Sequence, residues 1–207
     1  MKMMCLLWTQ FMHSAEKFLQ EAAMVHIEPR FFFLGALLLL TLPLNWIWAA
    51  FLAAGFHELC HLTAVRLLGG KVHEICLDVG GAQIGATIPG RLISAAASLA
   101  GPAGSLLLVL LCRSFPRVAI CGCIQGIYNL LPFRCLDGGR AMESLLEWLW
   151  PQQASWIMKA VELAAAVVLA AAAIYAAWSL SLSGWPLIWI VLFTSGMIQR
   201  KFPCKRR

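Results

Sequence analysis

Long apolar runs, broken at a few polar or glycine-rich points, set the pattern of this chain. From Phe31 to Leu68 nearly every position is apolar, enough for two crossings of a bilayer at about 20 residues each. Pro43, Leu44 and Asn45 mark the break between them. The second crossing runs from about Trp46 to Leu68 and stops at Gly69-Gly70. Residues 71–91 change character. Runs rich in β-branched residues, Lys71–Val79 and Ala82–Ile88, flank Gly80-Gly81 and predict a β-hairpin. This segment is too polar to face lipid and belongs at the interface or inside protein. Further spans are expected over 92–112, 118–132 and 161–180, and a shorter one opens at Gly184, Trp185 and Pro186 and ends near Ile198. Residues 141–156 read as an amphipathic surface helix with Trp148, Trp150 and Trp156 at interfacial positions. Residues 5–28 carry apolar positions at helical spacing (Phe11, Phe18, Leu19, Ala22, Val25) and fit either an amphipathic helix on the membrane or a poorly ordered leader. The expected fold class is an all-α polytopic membrane protein of about six transmembrane helices, with a small membrane-associated β-hairpin between spans two and three.

Composition agrees with that pattern. The chain is 61% hydrophobic and 13% charged, with a mean hydropathy of +0.78, whereas soluble domains are about 25% charged. A water-soluble fold of this size cannot cover so much apolar surface, so lipid is the solvent. The net charge of +6 reads as membrane orientation rather than nucleic-acid binding. With both termini on one side, 14 of the 16 lysines and arginines lie at that side, leaving only Arg113 and Arg117 across the membrane. Both ends, and the hairpin, are therefore expected in the cytoplasm of a bacterial cell. The division is a leader over 1–30, one membrane domain over 31–200 with its core at 46–140, and a basic tail over 201–207 near anionic lipid. The eight cysteines form no CxxC pair and mostly sit in apolar runs, so they read as small buried hydrophobes, not disulfides. No secretory signal stands at the start.

Two constellations carry chemistry. The first is His57-Glu58-Leu59-Cys60-His61, an HExxH. On a helix the two imidazoles share a face and can bind one zinc ion, while Glu58 on the adjacent face can take a proton from the attacking water. A polar helix–helix contact or a water-filled transport path would use the same residues. Ionisable groups inside an apolar span mark function by default. The second constellation is Asn129-Leu130-Leu131-Pro132-Phe133-Arg134-Cys135-Leu136-Asp137-Gly138-Gly139-Arg140. An HExxH pair needs a third protein ligand to leave one open position on tetrahedral zinc, and Asp137 is the best candidate. It sits before two glycines that are expected to let the backbone turn sharply. Alone, Asp137 would equally suit a helix cap. His73 reads as a hairpin or surface residue, His13 and His26 as solvated, and the nine tryptophans as interfacial anchors.

Together the two motifs resemble the site-2 protease family of intramembrane metalloproteases, whose pattern is HExxH in one span and N-x-x-P-x-x-x-L-D-G in another. Ala100-Gly101-Pro102-Ala103-Gly104-Ser105 resembles the family's G-P-x-x-N/S segment, and the hairpin lies where members carry a membrane-dipping β segment. The resemblance covers residues 46–140. It implies a zinc endopeptidase with His57, His61 and Asp137 as metal ligands, Glu58 as general base and then acid, and Asn129 holding the substrate or its developing oxyanion. The implied substrate is a membrane-associated or transmembrane protein cut in regulated intramembrane proteolysis, with inhibitory membrane partners. The span arrangement resembles the branch that includes the stage IV sporulation protein FB, which implies a sigma-factor precursor as client. Neither that branch's CBS domain nor a PDZ insertion is expected here. A transporter, or an inactive homologue that only binds clients, is the alternative.

Overall fold

The computed structural model describes residues 24–27, 36, 39–78 and 81–179. Three strands and five long helices make up those residues. Strand β1 is Met24–Ile27, helix α1 Leu44–Leu67, strand β2 Lys71–Asp78 and strand β3 Gly81–Thr87. Helix α2 is Arg91–Leu107, extended by a 3-10 turn over Leu108–Leu111. Helices α3 (Pro116–Asn129), α4 (Asp137–Leu149) and α5 (Ala154–Ser179) follow.

The core is built from small residues. The buried stripe of α1 is Ala49, Ala53, His57, His61 and Val65, one residue every four, a single face of the helix. Opposite it α2 buries Ala95, Ala97, Gly101, Pro102, Gly104 and Ser105, and α3 buries Ala119, Gly122 and Gly126. Large apolar side chains point outward instead: Leu40 is 86% exposed, Leu110 79% and Trp178 80%. Water would drive such residues inward. Small residues between helices and large ones outside is the arrangement that lipid favours, because close backbone approach, not burial of bulk, holds membrane helices together.

Helix ends follow from local chemistry. Pro43 precedes α1, where its missing N–H costs no helical bond. At the other end Gly69, with φ +76°, ends the helix in a conformation closed to most side chains. Gly70 N–H then donates to Val65 O at 2.8 Å. The hairpin forms as expected, β2 ending one residue early at Asp78 and β3 shifted one residue earlier to Gly81–Thr87, with the two antiparallel and a bulge at His73, between the pairs Val72–Ala86 and Glu74–Gly85. His73 lies exposed on it, bonded through Nε2 to Thr87 Oγ1 at 2.7 Å.

Several expectations need correction. Met24–Ile27 is neither helix nor disordered leader; it pairs parallel with β2, Val25 opposite Ile75, because an open sheet edge satisfies its backbone better than isolation does. Residues 1–23 lie outside the described set. Among the described residues Arg91–Leu111 and Ala154–Ala176 are long and apolar enough to cross a membrane by length and composition; the other four expected crossings are not shown. The first expected span is only partly described, and the sixth lies outside. The second, α1, has the length at 24 residues, but His57, Glu58 and His61 break its apolar run. The fourth, α3, has 14 residues, about 21 Å at 1.5 Å each, short of a hydrocarbon core of about 30 Å.

The expected surface helix over 141–156 is also different. Helix α4 begins at Asp137, ends at Leu149, and packs along α2, burying Gly139, Ala141 and Ser144. It runs antiparallel to α2: Ser144 Oγ donates to Ser94 Oγ at 3.3 Å, and Arg91 pairs with Glu147 at 2.6 Å. Helix α3 also runs antiparallel to α2, its Gly122 against Ser105 and its Gly126 against Pro102. Thus α3 and α4 both run antiparallel to α2, joined by the irregular stretch over 130–136. The six described cysteines form no disulfide; Cys76 is buried, Cys112 exposed and the other four intermediate, since lipid-facing positions accept a thiol as readily as a core does.

Candidate metal centre

Helix α1 delivers the two imidazoles. His57 and His61 occupy successive turns of its buried stripe, as i and i+4 neighbours must. Asp137 enters from the start of α4, 80 residues from His57 along the chain. Its Oδ2 lies 3.0 Å from His57 Nε2 and 3.0 Å from His61 Nε2, and the two Nε2 atoms are 3.2 Å apart. All three residues are buried.

The outer ring atoms decide what this triangle is for. His61 Nδ1 lies 2.9 Å from Ala97 O. A carbonyl only accepts, so Nδ1 carries the proton and Nε2 of the neutral ring presents a lone pair. His57 Nδ1 is held 2.8 Å from Ser105 Oγ, a hydroxyl with no exposure, which turns its Nε2 inward as well. The lone pair of His61 Nε2, the inward-turned Nε2 of His57 and a carboxylate oxygen therefore converge. A divalent cation satisfies all three at once. Tetrahedral zinc with bonds of about 2.0–2.1 Å places ligand atoms about 3.3 Å apart, close to the observed edges of 3.0, 3.0 and 3.2 Å. The donor set fits zinc, with one position left for water or substrate. Anchoring the far nitrogen of each histidine is the usual way a protein orients metal-binding imidazoles.

Helix α2 makes that anchoring possible. A Cβ at Gly101 would fall inside the His61 ring, and one at Gly104 on Cys60, so the two glycines bring α2 against α1. Pro102 gives no N–H to its own helix, loosening the turn above it. Ala97, one turn earlier, spends its carbonyl on His61.

The glycines after Asp137 act through space, not through conformation. Neither has positive φ; both lie in the first turn of α4. A Cβ at Gly138 would strike the Leu130 carbonyl, and one at Gly139 the Phe133 carbonyl. They let α4 sit directly on the buried loop that precedes it, and no sharp turn is involved.

This architecture has a counterpart. Residues across the chain superpose on the structure titled "Site-2 Protease from Methanocaldococcus jannaschii", at 18% sequence identity and a TM-score of 0.56, over 88% of this chain and 94% of that one. The chain has the fold of a site-2 protease. No protein-family model matches the sequence, and neither does any curated protein.

Glu58 follows His57 on α1, half-buried, and its carboxylate lies within electrostatic reach of His57, His61, Asp137 and Arg140. It stands beside the triangle without being part of it. Asn129 closes α3 and donates Nδ2 to Gln125 O of its own helix at 3.1 Å; no hydrogen bond joins it to the triangle. Two residues went unassigned in the sequence reading. Ser105 stood inside the quoted G-P-x-x-S segment without a role, although a hydroxyl among small apolar residues was the available signal. Glu162, an acid within the apolar stretch of α5, was likewise passed over.

Proposed function

We propose that this protein is an intramembrane zinc endopeptidase that hydrolyses a peptide bond in or near a membrane segment of a client protein. The observation that carries the reading is the convergence of His57 Nε2, His61 Nε2 and Asp137 Oδ2 with Glu58 beside them. A bound zinc ion would supply Lewis-acid polarisation and bring the pKa of a water to about 7. Glu58 takes the proton from the attacking water and returns it to the departing amine, so that the C–N bond breaks as the new C–O bond forms. Asn129 holds the scissile carbonyl or its oxyanion: one Nδ2 hydrogen is engaged by Gln125, and the other remains for substrate. Ala97 keeps His61 in the metal-binding tautomer, and Ser105 holds the His57 ring with Nε2 turned inward.

Depth supports a membrane client. His61 is six residues from the end of α1 and Ala97 six from the start of α2, about 9 Å in each case. The site thus lies roughly a third of the way into a 30 Å hydrocarbon core, on the side of the hairpin. A helical client must unwind to expose its backbone. In the sheet order β1-β2-β3 the central β2 is paired on both sides, so β3 offers an open edge among the described residues, and the client strand adds there. The excess of cationic residues on that side supports cytoplasmic termini in a multi-pass bacterial membrane protein. A sigma-factor precursor in sporulation is the client proposed from the sequence resemblance alone, with inhibitory membrane partners governing access.

Glu58→Gln, tested beside the parent on membrane clients, is the deciding experiment. Cleavage by the parent and none by the variant, both loaded with zinc, supports the reading; equal processing by both overturns it. A transporter or an inactive client-binding homologue would show no cleavage in either. Metal analysis of His57→Ala separates those two, because a transport path has no stoichiometric zinc to lose.

A further inference from the structure

A second polar cluster lies outside the triangle, in a bundle where charges are scarce. Arg134 stands three residues before Asp137, in the break between α3 and α4. Its Nε is 3.0 Å from Glu143 Oε1 on α4, and its guanidinium is 3.7 Å from Glu162 Oε2 on α5. It also donates from Nη2 to Ser155 O at 3.1 Å. The second oxygen of Glu162 accepts the backbone N–H of Arg134 at 2.8 Å. One carboxylate on α5 therefore grips both the main chain and the side chain of the same loop residue. The Glu162 side chain is 16% exposed and that of Arg134 26%, so this is not a solvated surface pair.

The cost of such a cluster calls for a reason. An acid within an apolar helix such as α5 is expensive unless partnered, and an ion pair of this burial does little for stability compared with apolar packing. What it does supply is direction. The loop it grips is otherwise defined by Phe133, 1% exposed, and by the bonds Phe133 N–H to Leu131 O and Leu136 N–H to Phe133 O. Those contacts fix the loop's depth. The Glu162–Arg134–Glu143 cluster fixes where it sits between α4 and α5, and hence where α4 begins. Asp137 is the first residue of α4.

We propose that Arg134, Glu143 and Glu162 form a positioning cluster that sets the Asp137 carboxylate against the two histidines and so determines metal affinity. The inference rests on the triangle being a metal site. Groups bonded directly to a metal ligand typically change metal affinity 10–100-fold when lost; this cluster acts on Asp137 one step further out, through the loop backbone, so the low end, about tenfold, is expected.

The full chain, purified in detergent, is titrated with zinc against a chromophoric chelator and with cobalt(II) for the absorption of a tetrahedral centre. Arg134→Ala and Glu162→Ala each weaken zinc binding about tenfold, and the double variant is little worse than the poorer single one, as expected of residues acting as a unit. Glu162→Gln, which keeps an oxygen for the Arg134 N–H, and Arg134→Lys, which keeps the charge, recover part of the loss. A merely structural role would lower the thermal midpoint and leave the affinity and cobalt spectrum of the folded protein unchanged. Parental zinc affinity in folded Glu162→Ala overturns the proposal; should that chain not fold, parental affinity in Arg134→Ala does so. A parent that binds no stoichiometric metal overturns the metal-site reading itself, a distinct result.

Discussion

Gly101→Ala tests whether the close approach of α2 to α1 is what holds the histidines in place. A methyl group there would occupy the space of the His61 imidazole, overlapping Nε2, Cδ2 and Cε1 together. Ordinary carbon contacts need about 3.5–4.0 Å, so the ring must retreat, or the helices part, by on the order of an ångström. His61 Nε2 now sits 3.0 Å from Asp137 Oδ2 and 3.2 Å from His57 Nε2, and metal–ligand distances tolerate only about ±0.2 Å. The displacement exceeds that several times over and takes His61 out of the ligand set. Zinc affinity should fall at least as far as on loss of an outer partner, about 10–100-fold. Stability moves less, because alanine is better than glycine in a helix by about 0.8–1.0 kcal/mol while overpacking costs about 1–3 kcal/mol. Gly55→Ala is the matched control: Gly55 lies two residues before His57 with open space where its Cβ would go. Zinc competition and thermal unfolding are measured on both. A folded Gly101→Ala protein with parental zinc affinity would refute the reasoning.

Ser105→Ala removes the partner of His57 Nδ1 at a fully buried position and should weaken zinc binding about 10–100-fold without unfolding the chain, as read by the same competition assay. Gly139→Ala drives a methyl into the backbone carbonyl of Phe133, which cannot yield as a side chain would. It should destabilise the protein by about 1–3 kcal/mol or more, seen as a lowered thermal midpoint. Trp48 and Trp178 are 61% and 80% exposed, so replacing both with phenylalanine should reduce the fraction of tryptophan fluorescence quenched by acyl-brominated lipid; unchanged quenching would place them away from lipid.

The histidine pair was legible because its geometry is local. Four residues along one helix put two side chains on one face wherever the helix goes, and the small residues at Ala49 and Ala53 extend the same face. The hairpin was legible for the same reason: its alternation and its glycines act within a few residues. Asp137 was singled out by the rule that an HExxH pair wants a third ligand together with its place in the N-x-x-P-x-x-x-L-D-G pattern. What escaped depends on partners far apart in sequence. Nothing in Met24–Ile27 announces a strand until β2 offers it an edge. Ser105 looks like any small residue of a membrane helix until His57 is opposite, 48 positions away. Gly138 and Gly139 suggested conformational freedom, and their use proved to be close packing against backbone that the sequence does not locate. Glu162 carried a signal of its own, yet the identity of its partner, 28 residues earlier, is set by the fold.

The break between α3 and α4 explains why Pro132 and the paired glycines belong together. Gly122 lies against Ser105 and Gly126 against Pro102, so each residue forward on α3 is one back on α2. Continued as an unbroken helix, the chain would bring Asp137 opposite the first turn of α2, near Arg91. The Ser144–Ser94 contact instead sets Asp137 level with Gly101 of α2, about 15 Å short of that point at 1.5 Å per residue. The irregular stretch over 130–136 takes up this excess of chain. Pro132 denies it a helical bond, Phe133 buries it, and the bare faces of Gly138 and Gly139 let α4 restart directly upon it. Irregular backbone is tolerated at membrane depth only where protein covers it, and α4 is that cover. The same restart leaves Asp137 as the first residue of a helix, facing the His57–His61 stripe, while Glu143 and Glu147 follow on later turns to meet Arg134 and Arg91. A carboxylate at metal depth and a polar wall leading from it toward the hairpin side are thus two consequences of one interruption in the chain.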